Sequence, residues 1–207
     1  ARHRDLRVRR FRVERNQRLI LCMDTGLLMD EPLEDLQRLD HAIHASLLLS
    51  YFALRAGDLV GLYTYADTPK TWLSPTAGMR NFNRLKLACA GFHSEPVETN
   101  HVLGLHHLLS KLQRRTLVVI FSEFIDTTTA ELMIETIERL LRKHLVLFVA
   151  LDDPLIEKPF KECPETPEEL AETLVTSDLK QERHKVLRHL QRKGVHIVHG
   201  SPEQAAT

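Results

Sequence analysis

Carboxylates recur in this sequence where apolar runs give out. Asp24 closes Leu19-Ile20-Leu21-Cys22-Met23, and Asp67 follows the stretch from Leu59 to Tyr65. Glu123 and Asp126 follow Leu117 to Phe121, and Asp152-Asp153 follow Leu145 to Leu151. Acids that converge with a hydroxyl such as Thr99 suit a hard cation, which takes oxygen ligands. Acids at strand ends also cap helices or terminate loops in water, and that reading requires no ion.

Other groups compete for attention. His41 and His44 are three apart on a predicted helix and share a face, His106 and His107 lie on another, and His196 and His199 fall on opposite faces of a strand. Zinc needs three or four converging ligands, so these read as structural or solvent-facing histidines. Cys22, Cys89 and Cys163 are widely spaced without a C-x-x-C pair, which argues against a disulfide framework and fits a reducing compartment. Ser122 beside Glu123 lacks an evident base and oxyanion hole, and no Gly-x-Ser-x-Gly elbow, phosphate-binding glycine loop or His-Glu-x-x-His is present. Catalysis is therefore not expected.

The elements that must position these residues follow from periodicity. The three apolar runs beginning at Leu19, Leu117 and Leu145 are too short for buried helices and suit parallel strands covered on both faces. Leu36 to Arg55 predicts a heavily buried helix, apolar nearly all round, stopped by Gly57. Leu59 to Tyr65, a turn at Asp67 to Lys70, and Thr71 to Leu73 predict an antiparallel hairpin at the sheet edge. Helices are expected over Met79 to Phe92, over Asn100 to Leu112 with Thr99 or Asn100 as N-cap, and over Thr129 to Lys143 capped by Thr128 or Thr129. Glu157 to Pro167, with three prolines, reads as a surface loop. A charged helix or helix pair then runs to Lys193, and Val195 to Val198 is the last strand. With right-handed crossovers this order gives an α/β fold: a doubly wound, mainly parallel sheet flanked by helices on both faces, with an antiparallel edge hairpin.

At 207 residues, with 28 Lys+Arg against 28 Asp+Glu, one soluble domain is the default and no global charge attracts nucleic acid or an acidic surface. Residues 1–17 form a basic arm: with Arg18 it carries eight arginines against Asp5 and Glu14. The interleaved Leu6, Val8, Phe11 and Val13 read as a strand without stacking aromatics, so pairing with neighbouring structure is preferred over nucleic-acid binding. The opening Ala1-Arg2 reads as the interior of a longer chain, and residues 18–207 are expected to be the domain proper. No window approaches the roughly 18 apolar residues that span a bilayer.

Leu19 to Met29, with Asp24-Thr25-Gly26-Leu27-Leu28, resembles the first strand and loop of a von Willebrand factor A-type domain, where Asp-x-Ser-x-Ser opens a metal-ion-dependent adhesion site. Asp58 to Tyr65, Thr99-Asn100-x-x-Leu103, Leu117 to Glu123 and Lys193 to Ile197 resemble a bacterial domain-of-unknown-function family encoded beside MoxR-type AAA+ ATPases. The resemblance places the five ligand positions at Asp24, Gly26, Leu28, Thr99 and Glu123. Glycine and leucine offer no side-chain oxygen, and Glu123 stands where an aspartate is usual. The resemblance therefore implies a degenerate adhesion site and a non-enzymatic protein–protein interaction module, with a MoxR-type ATPase or its client as partner. No cofactor is expected; if a metal such as Mg²⁺ binds, its ligands are Asp24, Thr99 and Glu123. An intact Mg²⁺-dependent adhesion module and, after it, a hydrolase or nuclease are the alternatives. A cytoplasmic location is expected, with any tether to the inner membrane face only through segments missing from this chain.

Overall fold

The computed structural model describes residues 16–124, 127–151 and 167–200. The chain runs β1 (Arg18–Asp24), a 3₁₀ turn (Leu27–Asp30), β2 (Pro32–Leu33), β3 (Leu36–Gln37), α1 (Arg38–Ala56), β4 (Leu59–Tyr65) and β5 (Pro69–Thr76). It continues through α2 (Met79–Cys89), α3 (His101–Lys111), β6 (Leu117–Phe121), α4 (Thr127–Leu141), β7 (Leu145–Leu151), α5 (Pro167–Arg192) and β8 (His196–Gly200). Six strands form one sheet in the order β5-β4-β1-β6-β7-β8. Only β5 is antiparallel, against β4.

The uninterrupted apolar runs are central because both their faces are covered. Ile20, Cys22, Val118, Ile120, Val146 and Phe148 face a core closed by α3, α4 and α5, while Leu19, Leu21, Met23, Val119 and Phe121 face a second core under α1 and α2. Fully burying each such aliphatic or aromatic side chain is worth about 1.5–3 kcal/mol. The expected doubly wound sheet with its edge hairpin is the fold observed. All the parallel strands point their carboxyl ends the same way, so the loops after β1, β4 and β6 gather along one edge of the sheet.

Several boundaries differ from expectation. Leu36 does not start the helix; Leu36–Gln37 pairs with Pro32–Leu33, and the Gln37 backbone N–H donates to Asp40 Oδ2 at 3.4 Å as α1 begins. Nor is α1 buried all round. Arg38, Leu39, Ala42, Ser46, Ser50 and Leu54 make the inward stripe, whereas Leu48, Leu49 and Phe52 are 38%, 36% and 61% exposed, because the helix packs on one sheet face only. The returning strand extends over Pro69–Thr76, and α2 ends at Cys89. Asn100, not Thr99, caps α3, its side chain accepting from Leu103 N–H at 3.0 Å. Helix α4 starts at Thr127, so Thr128 and Thr129 lie inside it. A single helix, α5, spans Pro167–Arg192. The basic arm before Asn16, Asp126, Asp152-Asp153, Cys163 and most of the Glu157 to Pro167 loop lie outside the described residues.

Candidate functional site

Asp24 is the last residue of β1 and is 1% exposed. A buried carboxylate needs donors, and three surround it. Oδ1 accepts from Gly26 N–H at 2.8 Å and from Thr99 Oγ1 at 2.6 Å, and Oδ2 accepts from Ser122 Oγ at 2.7 Å. Three loops are tied together at this point. Their backbones are laced as well, with Thr25 N–H to Tyr65 O at 2.8 Å, Leu27 N–H to Val97 O at 2.9 Å and Asn100 N–H to Ala66 O at 2.9 Å.

Gly26 makes this closure possible. A Cβ there would overlap Thr99 Oγ1 and come within 3.0 Å of Val97 O, so a serine at this position would displace the threonine from Asp24. Leu28 sits half-buried in the 3₁₀ turn. On α3, Gly104 serves a similar purpose, because a Cβ would strike the Tyr65 ring. That close approach lets Tyr63 OH donate to Gly104 O at 2.8 Å and sets Tyr65 OH 3.3 Å from His101 Nδ1. Burial holds the His101 imidazole below its usual pKa, against the pull of the Asp24 and Glu98 charges, and it pushes the Tyr65 phenol up.

Glu123 follows β6 and is 7% exposed. Arg183 of α5 forks onto it, Nε to Oε1 at 3.2 Å and Nη2 to Oε2 at 3.3 Å. Arg38 of α1 reaches Oε2 at 3.4 Å through Nη1. Both guanidiniums also donate to Leu151 O at the end of β7, at 3.2 Å from Arg38 and 2.9 Å from Arg183. Arg38 Nε further pairs with Glu31 at 3.3 Å. The arrangement clamps the ends of β6 and β7 between two helices on opposite faces of the sheet.

The residues as arranged do not fit a six-coordinate Mg²⁺. Gly26 and Leu28 supply no side-chain oxygen, the Thr99 hydroxyl is engaged with Asp24, and the Glu123 carboxylate faces two cations already. The space between Arg38, Glu123, Met29 and Leu151 is about 10 Å³, at the lower limit for a single water and too small for an ion that retains its hydration. Among the described residues no three His, Cys, Asp or Glu side chains are placed to hold a metal. His41 Nε2 lies 2.9 Å from Leu33 O, His106 Nε2 lies 3.0 Å from Arg139, and the His107 ring stacks on Tyr63. His44 and His196 are exposed. Asp67 stands in the β4–β5 turn, paired with Lys70 at 3.0 Å.

Sequence reasoning brings Asp24, Thr99 and Glu123 to the same sheet edge but misses their partners. Ser122 appears there only as an unsupported nucleophile, yet it is an Asp24 donor. Arg38 carries a readable signal: it sits in the inward stripe of α1 and in a first turn, where the helix dipole favours acids. Arg183, in the charged run Lys180-Gln181-Glu182-Arg183-His184-Lys185, has no such signature. Beside Thr99 opens a groove of about 430 Å³ lined by Asp67, Glu98, Asn100, His101, Val102 and Leu132, with Leu132 55% exposed.

Solved structures share this architecture. The chain is similar to the PilB minor pilin from Streptococcus sanguinis, with a TM-score of 0.55 and 9% identity over 95% of this chain, and it spans about 60% of the length of that pilin. It is similar to BatB from Bacteroides thetaiotaomicron, with a TM-score of 0.51 and 14% identity, covering 90% of this chain and 91% of that one. It also resembles an aerotolerance-related membrane protein from Bacteroides fragilis NCTC 9343, with a TM-score of 0.50 and 15% identity over 92% and 95% of the two chains. At such identities the likeness is one of fold, which is of the von Willebrand A type. No helix among the described residues is long and apolar enough to cross a membrane. No curated protein matches the sequence. The family model of a protein of unknown function, DUF58, matches residues 1–162, well over half the chain, and the protein therefore belongs to the DUF58 family.

Proposed function

We propose that this domain is a non-enzymatic protein–protein interaction module that docks its partner on the carboxyl edge of the sheet, around Asp24, Thr99 and Glu123, at a degenerate adhesion site. In an intact site a divalent ion would bridge domain and partner; here the guanidiniums of Arg38 and Arg183 neutralise Glu123 instead. The Arg38–Glu123–Arg183 clamp is the observation that carries this reading. The adjoining groove supports it, with exposed Leu132 and Val102 beside acidic Glu98. Desolvated apolar anchors with a polar rim are what protein interfaces use. A MoxR-type AAA+ ATPase or its client is the partner, on the strength of the sequence resemblance, in assembly or chaperone-like work.

The test is capture of the neighbouring ATPase by the chain, with and without Mg²⁺ and nucleotide. Metal-independent capture, lost in Leu132→Asp while the melting temperature holds, is the expected result. Capture that requires Mg²⁺, together with a metal-induced rise in melting temperature, would favour an intact adhesion site instead.

A further inference from the structure

At the amino edge of the sheet, a second cavity of about 550 Å³ lies where β1, β6 and β7 begin. Leu117 and Leu145 line it together with Thr116, and Arg18, Arg114 and Arg115 stand around it. Leu145 is 43% exposed, so apolar surface is open to whatever occupies the space. The three arginines come from two separate chain segments. Arg18 opens β1, while Arg114 and Arg115 lie in the α3–β6 loop, which Thr116 steadies by donating to Arg114 O at 2.7 Å.

Among the described residues that line this cavity there is no carboxylate. The nearby Asp58 is engaged by Gln17 N–H at 3.1 Å, and none of the three arginines forms an ion pair with a described residue. The contrast with the carboxyl edge is direct, because there Glu123 sits between two arginines. Like charges gathered around one hollow repel unless an anion balances them. Helix C-termini attract cations, which accounts for Lys111 in the last turn of α3 but not for three arginines lining a shared cavity.

We propose that this cavity is an anion site that binds the phosphate group of an organic phosphate, its arginines forking onto the phosphate oxygens while Leu117 and Leu145 contact the apolar body. The planar guanidinium matches phosphate geometry in two-point contacts, and the volume falls within the range of small-ligand sites. The phosphate belongs either to a soluble compound or to a lipid headgroup. The site lies at the opposite end of the strands from Asp24 and is independent of the docking surface there.

Titration calorimetry of the full chain with sodium pyrophosphate, at ionic strength held constant with NaCl, tests the assignment. Saturable binding is expected, weakened about tenfold by Arg114→Gln and again by Arg18→Gln, since a hydrogen bond to a charged group is worth about that factor. Arg139→Gln, which removes a charge from the exposed face of α4, leaves it unchanged. Arg115→Lys keeps the charge, loses the fork and gives an intermediate affinity. Cosedimentation with phosphatidylcholine vesicles holding 20% phosphatidic acid, competed by pyrophosphate and lost in the same variants, supports the proposal with a headgroup as the source. Pyrophosphate binding without cosedimentation supports it with a soluble source. No heat of binding beyond that of NaCl, or binding equal in Arg114→Gln, Arg18→Gln and the parent, overturns it.

Discussion

The same central strands end in opposite chemistry at their two edges. At the carboxyl edge, Asp24 and Glu123 are buried and satisfied from within by Thr99, Ser122 and the Gly26 amide, and by Arg38 and Arg183. At the amino edge, Arg18, Arg114 and Arg115 line a cavity with no acid among its described lining residues. A formal net charge of +0 averages over this difference, so overall charge says nothing about either surface. Charge at one edge is paired within the fold, and charge at the other has no carboxylate partner among the described residues. One buried histidine belongs to each edge. His101 adjoins the Asp24 network, and His144 precedes β7 beside Lys143, with neither ring nitrogen hydrogen-bonded.

The largest expected effect is on the clamp. Arg38→Ala leaves Glu123 with only the Arg183 fork; an uncompensated buried charge costs about 3–5 kcal/mol, and the remaining fork should keep the loss near the lower figure. Urea unfolding should show that loss. Arg114→Gln at the other edge should leave the urea midpoint almost unmoved, and an equal loss there would erase the distinction between the edges.

Next in size is Gly26→Ser. Overpacking against Thr99 should cost about 1–3 kcal/mol, and Thr99→Ala in the same chain should restore part of it. A serine tolerated without loss would mean that the Asp24–Thr99 contact does not require the glycine.

The histidines give a smaller, pH-dependent effect. Burial holds both His101 and His144 below the ordinary value of 6.5, so both are neutral in the fold. Protons bind preferentially to the unfolded chain as pH falls, so their contribution is complete above pH 6.5 and declines as pH drops toward the folded values. Denaturation midpoints measured between about pH 5.5 and 7.5 should therefore rise with pH, with a shallower slope in His144→Phe. The neighbouring charges act in opposite directions. Glu98→Gln should lower the His101 pKa further, whereas Lys143→Gln should raise that of His144, as NMR titration can follow.

The smallest effect belongs to the exposed Asp67–Lys70–Glu95 cluster. Lys70→Ala should produce no resolvable change in the melting temperature, because solvent screens such pairs.

Hydrophobic runs and periodicity made the strands and helices legible, since a strand buried on both faces has to be apolar at every position. The α1 expectation failed on Leu48, Leu49 and Phe52 because periodicity reports how much of a helix is apolar, not how much of it a neighbour covers. Asp24, Thr99 and Glu123 were placed at one edge by strand order and resemblance. Their partners Ser122, Arg38 and Arg183 were not, because contacts between residues 98, 85 or 60 positions apart leave no local spacing to read.

The sequence by itself determined the parallel sheet, its edge hairpin and the edge at which the acids gather, because local propensity and the handedness of crossovers allow few arrangements. Only the tertiary structure decided that Arg38 and Arg183 meet on Glu123, and that Arg18 joins Arg114 and Arg115 around a cavity. Long-range charge pairing depends on distances that chain order does not encode.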